Sequence, residues 1–226
     1  HARSYARSLG VRHRIIATRE LDRQEFARNA PDRCYHCKRE LFSILRRIAE
    51  SEGILHVLDG TNADDLRDYR PGRKAAEELS VRSPRAEAGL SKQEVRAIAR
   101  KLGMPMWDKP SLACLSSRVP YGTKITQELL RIIHAAEDVV HQLGIRQVRV
   151  RHHGDTARIE VDPAEFGRIV SVDMARQIVA SVKGLGYTYV CLDLEGYRTG
   201  SLNSVLDKKS APADLATSGN LPARRS

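Results

Sequence analysis

Apolar positions along the chain fall into two textures. In the first half they form short runs. Val11–Thr18, centred on Arg14–Ala17, and Leu55–Leu58 read as strands. A helix-like stretch from Lys38 to Glu52 separates them, and Ala2–Leu9 reads as an earlier helix closed by Gly10. Another helix is predicted over Lys92–Leu102, with Ser91 as N-cap, Glu94 completing a capping box and Gly103 at the C-terminal end. Strands alternating with helices predict a parallel α/β sheet. After Pro110 the texture changes. Leu129, Ile132, Ile133, Ala136, Val139, Val140 and Leu143 recur at helical spacing, which predicts an amphipathic helix over Ile125–Leu143. Gln147–Arg151 and Ala157–Val161 alternate like strands on either side of a Gly154-Asp155 turn. A helix over Met174–Val182 then leads through Gly184 and Gly186 to a strand, Tyr187–Leu194, so the second half reads as a small α+β unit. From about Asp207 the sequence loses periodicity and reads as a disordered tail. No internal repeat is visible. The chain opens at His1 in what already reads as the middle of a helix, so a fragment lacking an N-terminal segment is expected.

The 226 residues provide for one large domain or two small ones. At 41% hydrophobic and 5% aromatic, the core is sufficient but lean. No apolar run approaches the roughly 20 residues that span a bilayer, and no secretory leader is visible, so a cytoplasmic, non-membrane protein is expected. The formal charge is +10, and arginine supplies 29 of the 38 cationic residues. That surplus points toward phosphates, nucleotides or nucleic acid as partners, although a genome favouring arginine codons accounts for part of it.

Chemistry concentrates first in the four cysteines. Cys34 and Cys37 form Arg33-Cys34-Tyr35-His36-Cys37-Lys38 directly ahead of a predicted helix. Thiols so spaced grip one metal centre or form a redox pair. Cys114 sits in a loop, Pro110-Ser111-Leu112-Ala113-Cys114-Leu115-Ser116-Ser117-Arg118, as a reactive thiol or a small buried hydrophobe. Cys191 lies in an apolar strand and reads as core. Without a secretory signal, disulfides are not expected. Three thiolates suit a [4Fe–4S] cluster with one open iron, able to carry an extra sulfide. A structural zinc would instead recruit His36 as fourth ligand. Composition does not choose between them.

Phosphate-type signals follow. Leu58-Asp59-Gly60-Thr61-Asn62-Ala63-Asp64-Asp65 comes after a strand end, where open α/β sheets bind ligands. Gly60 permits close backbone approach, and Asn62, Asp64 and Asp65 offer polar contacts or a seat for Mg²⁺; an ordinary turn is the plainer reading. Asp68-Tyr69-Arg70-Pro71-Gly72 continues it as a rigid basic loop. Ser116-Ser117-Arg118 and the alternating pair Arg149 and Arg151 are more pointed. Alternation puts both arginines on one strand face, where two guanidiniums fork a phosphate, and like charges side by side are unfavourable without an anion between them. His152-His153 either supports that site or caps the strand. Glu137 and Glu160 are a candidate carboxylate pair, although helix glutamates usually face solvent.

Together these stretches resemble one family. The cysteine pair, Asp59–Asp65, Asp68–Gly72, Ser83-Pro84 with Glu87–Leu90, Trp107–Pro110, Cys114–Arg118, Arg149–Gly154 and Asp193–Arg198 are similar, in order, to the LarE family of ATP-dependent sacrificial sulfur transferases, within the PP-loop ATP pyrophosphatases. The resemblance covers roughly Ala2 to Asn203. It implies an α/β fold: a Rossmann-like, N-terminally truncated PP-loop nucleotide domain over residues 1–120, an α+β substrate domain over 121–206 and a tail over 207–226, often in a hexamer. It also implies adenylation of a carboxylate of pyridinium-3,5-biscarboxylic acid mononucleotide by MgATP, followed by replacement of AMP with sulfur, for the nickel-pincer nucleotide cofactor.

In one branch of the family a cysteine at the position of Cys114 gives up its own sulfur; in another, three cysteines bind a [4Fe–4S] cluster. Cys34, Cys37 and Cys114 make this chain resemble the cluster branch. By the same likeness Gly60, Thr61, Asn62, Asp64 and Asp65 bind nucleotide. Ser117, Arg118, Arg149 and Arg151 bind the substrate phosphate, while Cys114, Glu137 and Glu160 are catalytic. The signature Ser-Gly-Gly-x-Asp-Ser does not occur in these 226 residues, so weak adenylation by this chain alone is expected. Two rival readings are a PP-loop tRNA thiolase, against which the arginines are scattered with no dense basic arm, and a non-catalytic zinc-stabilised nucleotide-binding module.

Overall fold

The computed structural model describes residues 2–67, 70–109 and 113–203. The expected tail over 207–226, Asp68-Tyr69 and Pro110–Leu112 lie outside the described residues. The chain divides into two compact units, one of residues 1–109 and 121–130, the other of residues 110–120 and 131–226.

Helices dominate the first unit. After α1 (Ala2–Ser8) and a coil come α2 (Gln24–Ala27) and the long α3 (Arg33–Ser51). Helix α4 (Gly72–Glu78), the single turn α5 (Pro84–Glu87) and α6 (Lys92–Lys101) follow. The expected capping box on α6 is present: Ser91 accepts from the Glu94 N–H at 3.2 Å while the Glu94 carboxylate accepts from the Ser91 N–H at 2.8 Å. Gly103 takes the left-handed conformation that ends the helix. One face of α3 packs on α4 around Phe42, Ala49, Val57, Ala75, Ala76 and Val81.

The parallel sheet expected in this half is reduced, among the described residues, to one parallel bridge between Leu58 and Arg82. Residues 11–19 form no strand. Ile15 and Leu55 of the two expected strands lie at the surface, at 61% and 84% of full exposure, while Val57 turns into the α3–α4 cluster. A strand is stable only when neighbours take up its N–H and C=O groups and cover its apolar face. Here the described residues supply that partnership only at Leu58.

In the second unit the pattern holds closely. α7 (Gln127–Gln142) starts in the first unit's Tyr121–Leu130 segment and continues from Arg131 in the second. Strands β1 (Val148–His153) and β2 (Thr156–Val161) form an antiparallel hairpin turning at Gly154-Asp155. The short α8 (Phe166–Ile169), α9 (Val172–Gly184) and β3 (Tyr189–Leu192) complete it. β3 pairs parallel with β2, giving the order β1-β2-β3. Val148, Val150, Ile159 and Val161 join Ala136, Val140, Ile178 and Val182 in a closed core.

Candidate functional site

The period of two along a strand sends alternate side chains to opposite faces. Register makes this concrete: Val148 faces Val161 and Val150 faces Ile159 on the core side, while Arg149 faces Glu160 and Arg151 faces Arg158 on the other. The polar face is nevertheless covered, with Arg149, Arg151 and Glu160 all buried. Cys191, expected in the core, pairs in register with Arg158 and is exposed. The shift is one of phase: Val190 and Leu192 turn toward the core, and their neighbour turns away.

Arg118 ends a 3₁₀ turn, Leu115–Arg118, and is 2% exposed. Its Nε and Nη2 donate to Oε1 and Oε2 of Glu137 at 2.8 and 3.0 Å, a two-pronged pair. Its Nη1 donates to the carbonyls of Ala113 and Cys114 at 2.8 and 3.0 Å and to Ser117 Oγ at 3.1 Å. Arg151 holds the same turn from the sheet, donating to the Ser117 carbonyl at 2.7 Å. The backbone around Cys114 is therefore pinned by buried guanidiniums, while Cys114 itself is exposed.

The two acids lie at the ends of one network. Glu137 also accepts the Val150 N–H of β1 at 3.0 Å. Glu160, with no exposed surface, accepts from Arg151 at 2.8 Å and Arg158 at 3.2 Å, and Ser201 donates to it at 3.3 Å. A carboxylate so deep is stable only when cations and donors surround it. Arg149 donates to its neighbouring Val148 carbonyl at 2.8 Å and lies over the Tyr197 ring, 5.3 Å from its centroid. Burial, then the Arg118 charge, lowers its affinity for its proton from the ordinary guanidinium value, partly offset by Glu137 and Tyr197.

In the first unit, Cys34 and Cys37 lie within the first turns of α3 and not ahead of it, because the helix begins at Arg33. Three residues apart, they share a helix face. None of the four cysteines is bridged. His36 pairs with Asp32 at 3.2 Å. Gly72 lets α4 start close to this turn: a Cβ there would lie 2.8 Å from Lys38 Cγ and 3.2 Å from the Cys34 carbonyl.

The Asp59–Asp65 loop follows the Leu58 bridge, as strand-end loops do. Asp59 accepts from the Thr61 N–H at 3.0 Å, Thr61 Oγ1 at 2.7 Å and Ser83 Oγ at 2.7 Å. Burial pushes its carboxyl up, but these hydrogen bonds and the Lys38 charge outweigh it and hold it below the usual value. Asn62 and Asp65 exchange backbone-to-side-chain bonds at 3.1 and 3.2 Å, and Asp64 accepts the Lys92 N–H at 2.8 Å. At Gly60 a Cβ would meet Arg85 Nη2 at 3.3 Å. Among the described residues no three His, Cys, Asp or Glu side chains stand together as a metal-binding group.

One signal for Glu137 was present in the sequence: it occupies the slot between Ile133 and Val140 on the buried stripe of α7. Ser201 carries no local signal.

No family model matches the chain. It is 39% identical over 216 residues to the pyridinium-3,5-bisthiocarboxylic acid mononucleotide synthase of Lactiplantibacillus plantarum, covering 96% of this chain and 76% of that protein. The chain belongs to the LarE family. An uncharacterized protein of Synechocystis sp. is 45% identical over 207 residues, 92% of this chain and 77% of its own length. Another, from Methanocaldococcus jannaschii, is 33% identical over 172 residues, 76% of this chain and 66% of its own. Membership of the LarE family agrees with the mixed helix and strand content, and no helix among the described residues is long and apolar enough to cross a membrane.

Proposed function

We propose that this chain is a LarE-type sulfur transferase converting a carboxylate of a pyridinium mononucleotide to a thiocarboxylate. The observation that carries the reading is the double clamp on the Cys114 loop. Arg118 on Glu137 and Arg151 on Glu160 fix the backbone from Ala113 to Ser117 and leave Cys114 exposed. A carboxylate resists nucleophiles until its oxygen is part of a good leaving group. Attack on the α-phosphorus of ATP supplies one, with loss of pyrophosphate, and Gly60, Thr61, Asn62, Asp64 and Asp65 are the nucleotide-side residues. In this reading the Cys114 thiolate adds to the acyl carbon and AMP departs, leaving a thioester; loss of the Cys114 Cα proton to solvent with cleavage of its Cβ–Sγ bond then releases the thiocarboxylate and leaves dehydroalanine. Ser117, Arg149 and Arg151 hold the substrate phosphate, and Arg118 shapes the loop beside them. Glu137 and Glu160 keep those cations in place.

Cys114 is the sulfur-bearing thiol in this reading. The finer alternative gives the sulfur to a [4Fe–4S] cluster on Cys34, Cys37 and Cys114. Iron and acid-labile sulfide measured on anaerobically purified protein tests it: both at cluster stoichiometry support that form, and a colourless, iron-free protein assigns the sulfur to Cys114 itself. A homo-oligomer belongs to the same reading, supported by Tyr189 and Leu194, exposed in and just after edge strand β3.

The whole reading is tested by incubating the chain with MgATP and the biscarboxylic mononucleotide and following the substrate by mass. Replacement of one oxygen by sulfur, lost in Cys114→Ala, is expected. Full sulfur incorporation by Cys114→Ala would overturn it.

A further inference from the structure

The segment Gly196–Asn203 returns across the arginine face of the sheet, and three contacts hold it there. Gly196 turns with φ 69°, and a Cβ at that position would lie 2.8 Å from the Val161 carbonyl and 3.0 Å from Pro163 Cγ. Only glycine meets both demands. The next residue, Tyr197, donates its N–H to the Val161 carbonyl at 2.8 Å, so the segment is clamped to the end of β2. Ser201 closes the far end: its hydroxyl accepts from Arg151 Nη2 at 2.6 Å and donates to Glu160. Between these anchors the Tyr197 ring lies against the Arg149 guanidinium.

We infer that this strap positions the phosphate-binding pair, with Tyr197 setting the plane of Arg149 and Ser201 setting that of Arg151. The inference rests on the reading that these arginines hold a substrate phosphate. A guanidinium is a planar fork, and its affinity for a phosphate depends on that plane as well as on its charge. Arg151 is held through Nη1 by the Ser117 carbonyl, but on the Nη2 side Glu160 is shared with Arg158. The Ser201 hydroxyl supplies a second acceptor for the same Nη2. An aromatic face under Arg149 supports a cation without neutralising it. A carboxylate in place of Tyr197 would compete with the ligand.

The test is equilibrium binding of nicotinic acid mononucleotide, a pyridinium carboxylate bearing a 5′-phosphate, to the full chain and to Tyr197→Phe, Tyr197→Leu and Ser201→Ala. Thermal unfolding of each variant is recorded alongside. Tyr197→Phe keeps the ring and is expected to bind within about twofold of the parent, while Tyr197→Leu weakens binding about fivefold, as loss of a half-buried cation–π contact predicts. Ser201→Ala weakens it by a similar factor. Unfolding temperatures stay close to the parent's, since each change leaves the Gly196 clamp intact. Equal affinity in all four proteins would overturn the inference alone. Tyr197→Phe binding as poorly as Tyr197→Leu would overturn the ring's role. A parent chain that binds no mononucleotide would overturn both this inference and the reading beneath it.

Discussion

Glu137→Ala removes one carboxylate from a place where it answers two buried demands. Arg118 and Glu137 have side chains only 2% and 7% exposed, and both oxygens of the acid are engaged by the guanidinium. Truncating one member of such a pair strands the other charge in a poorly polarisable interior, at a cost of ~3–5 kcal/mol. The same oxygen accepts the Val150 N–H, which has no exposed surface to offer water in compensation, and an orphaned buried donor adds ~1–3 kcal/mol. Both losses share a carboxylate and do not add fully, so ~4–6 kcal/mol is expected. Against a typical domain stability of ~5–15 kcal/mol, that is enough to leave the second unit barely folded.

Urea unfolding followed by circular dichroism, with hydrogen exchange at the β1 and β2 amides, reads that unit directly. Glu137→Gln keeps an acceptor for Val150 and loses the charge, so it falls between parent and alanine variant. The double change Arg118→Met with Glu137→Leu removes both charges and recovers the charge part of the loss, because an apolar pair carries no desolvation cost, while the Val150 N–H and the Ala113 and Cys114 carbonyls still lose these partners. A Glu137→Ala chain within about 1 kcal/mol of the parent would show that this pair does not hold the sheet to α7.

Two further outcomes are expected. His152 is held below the ordinary imidazole value of 6.5 by burial, and His153 by burial and then by the Arg158, His152 and Arg151 charges, with Glu160 opposing. The unfolded chain therefore binds more protons between the folded values and 6.5, so stability is present above that pH and declines as pH falls through it. The urea midpoint should be lower at about pH 5.5 than at about pH 7.5, and substituting both histidines by Gln should shrink the difference; a midpoint that rises on acidification would contradict the sign. In the first unit, Asn29 is fully buried at φ 56°, donates to the Thr123 carbonyl at 3.0 Å and accepts from Arg33. Asn29→Ala is expected to cost ~2–3 kcal/mol and Asn29→Gly about 1 kcal/mol less, since glycine accepts the left-handed backbone. Equal melting temperatures for the two would separate the loss from backbone strain.

Local chemistry made much of this protein legible. The Ser91–Glu94 box, α7 and the hairpin around Gly154 all follow from spacings of two to four residues, which sequence fixes directly. So does the phase that puts Arg149 and Arg151 on one face. Tertiary structure decided what those spacings could not. A strand-like run at Ile15 or Leu55 becomes a strand only when a neighbour binds its edge, and the described residues provide one only at Leu58. Cys191 is exposed because β3 pairs with β2 in the register that puts it beside Arg158. Glu160 and Ser201 meet across 41 residues, and Ser201 and Arg151 across 50. Whether a glutamate lies in water or buried among arginines depends on what packs over it, and that is set by distant parts of the chain folding back together.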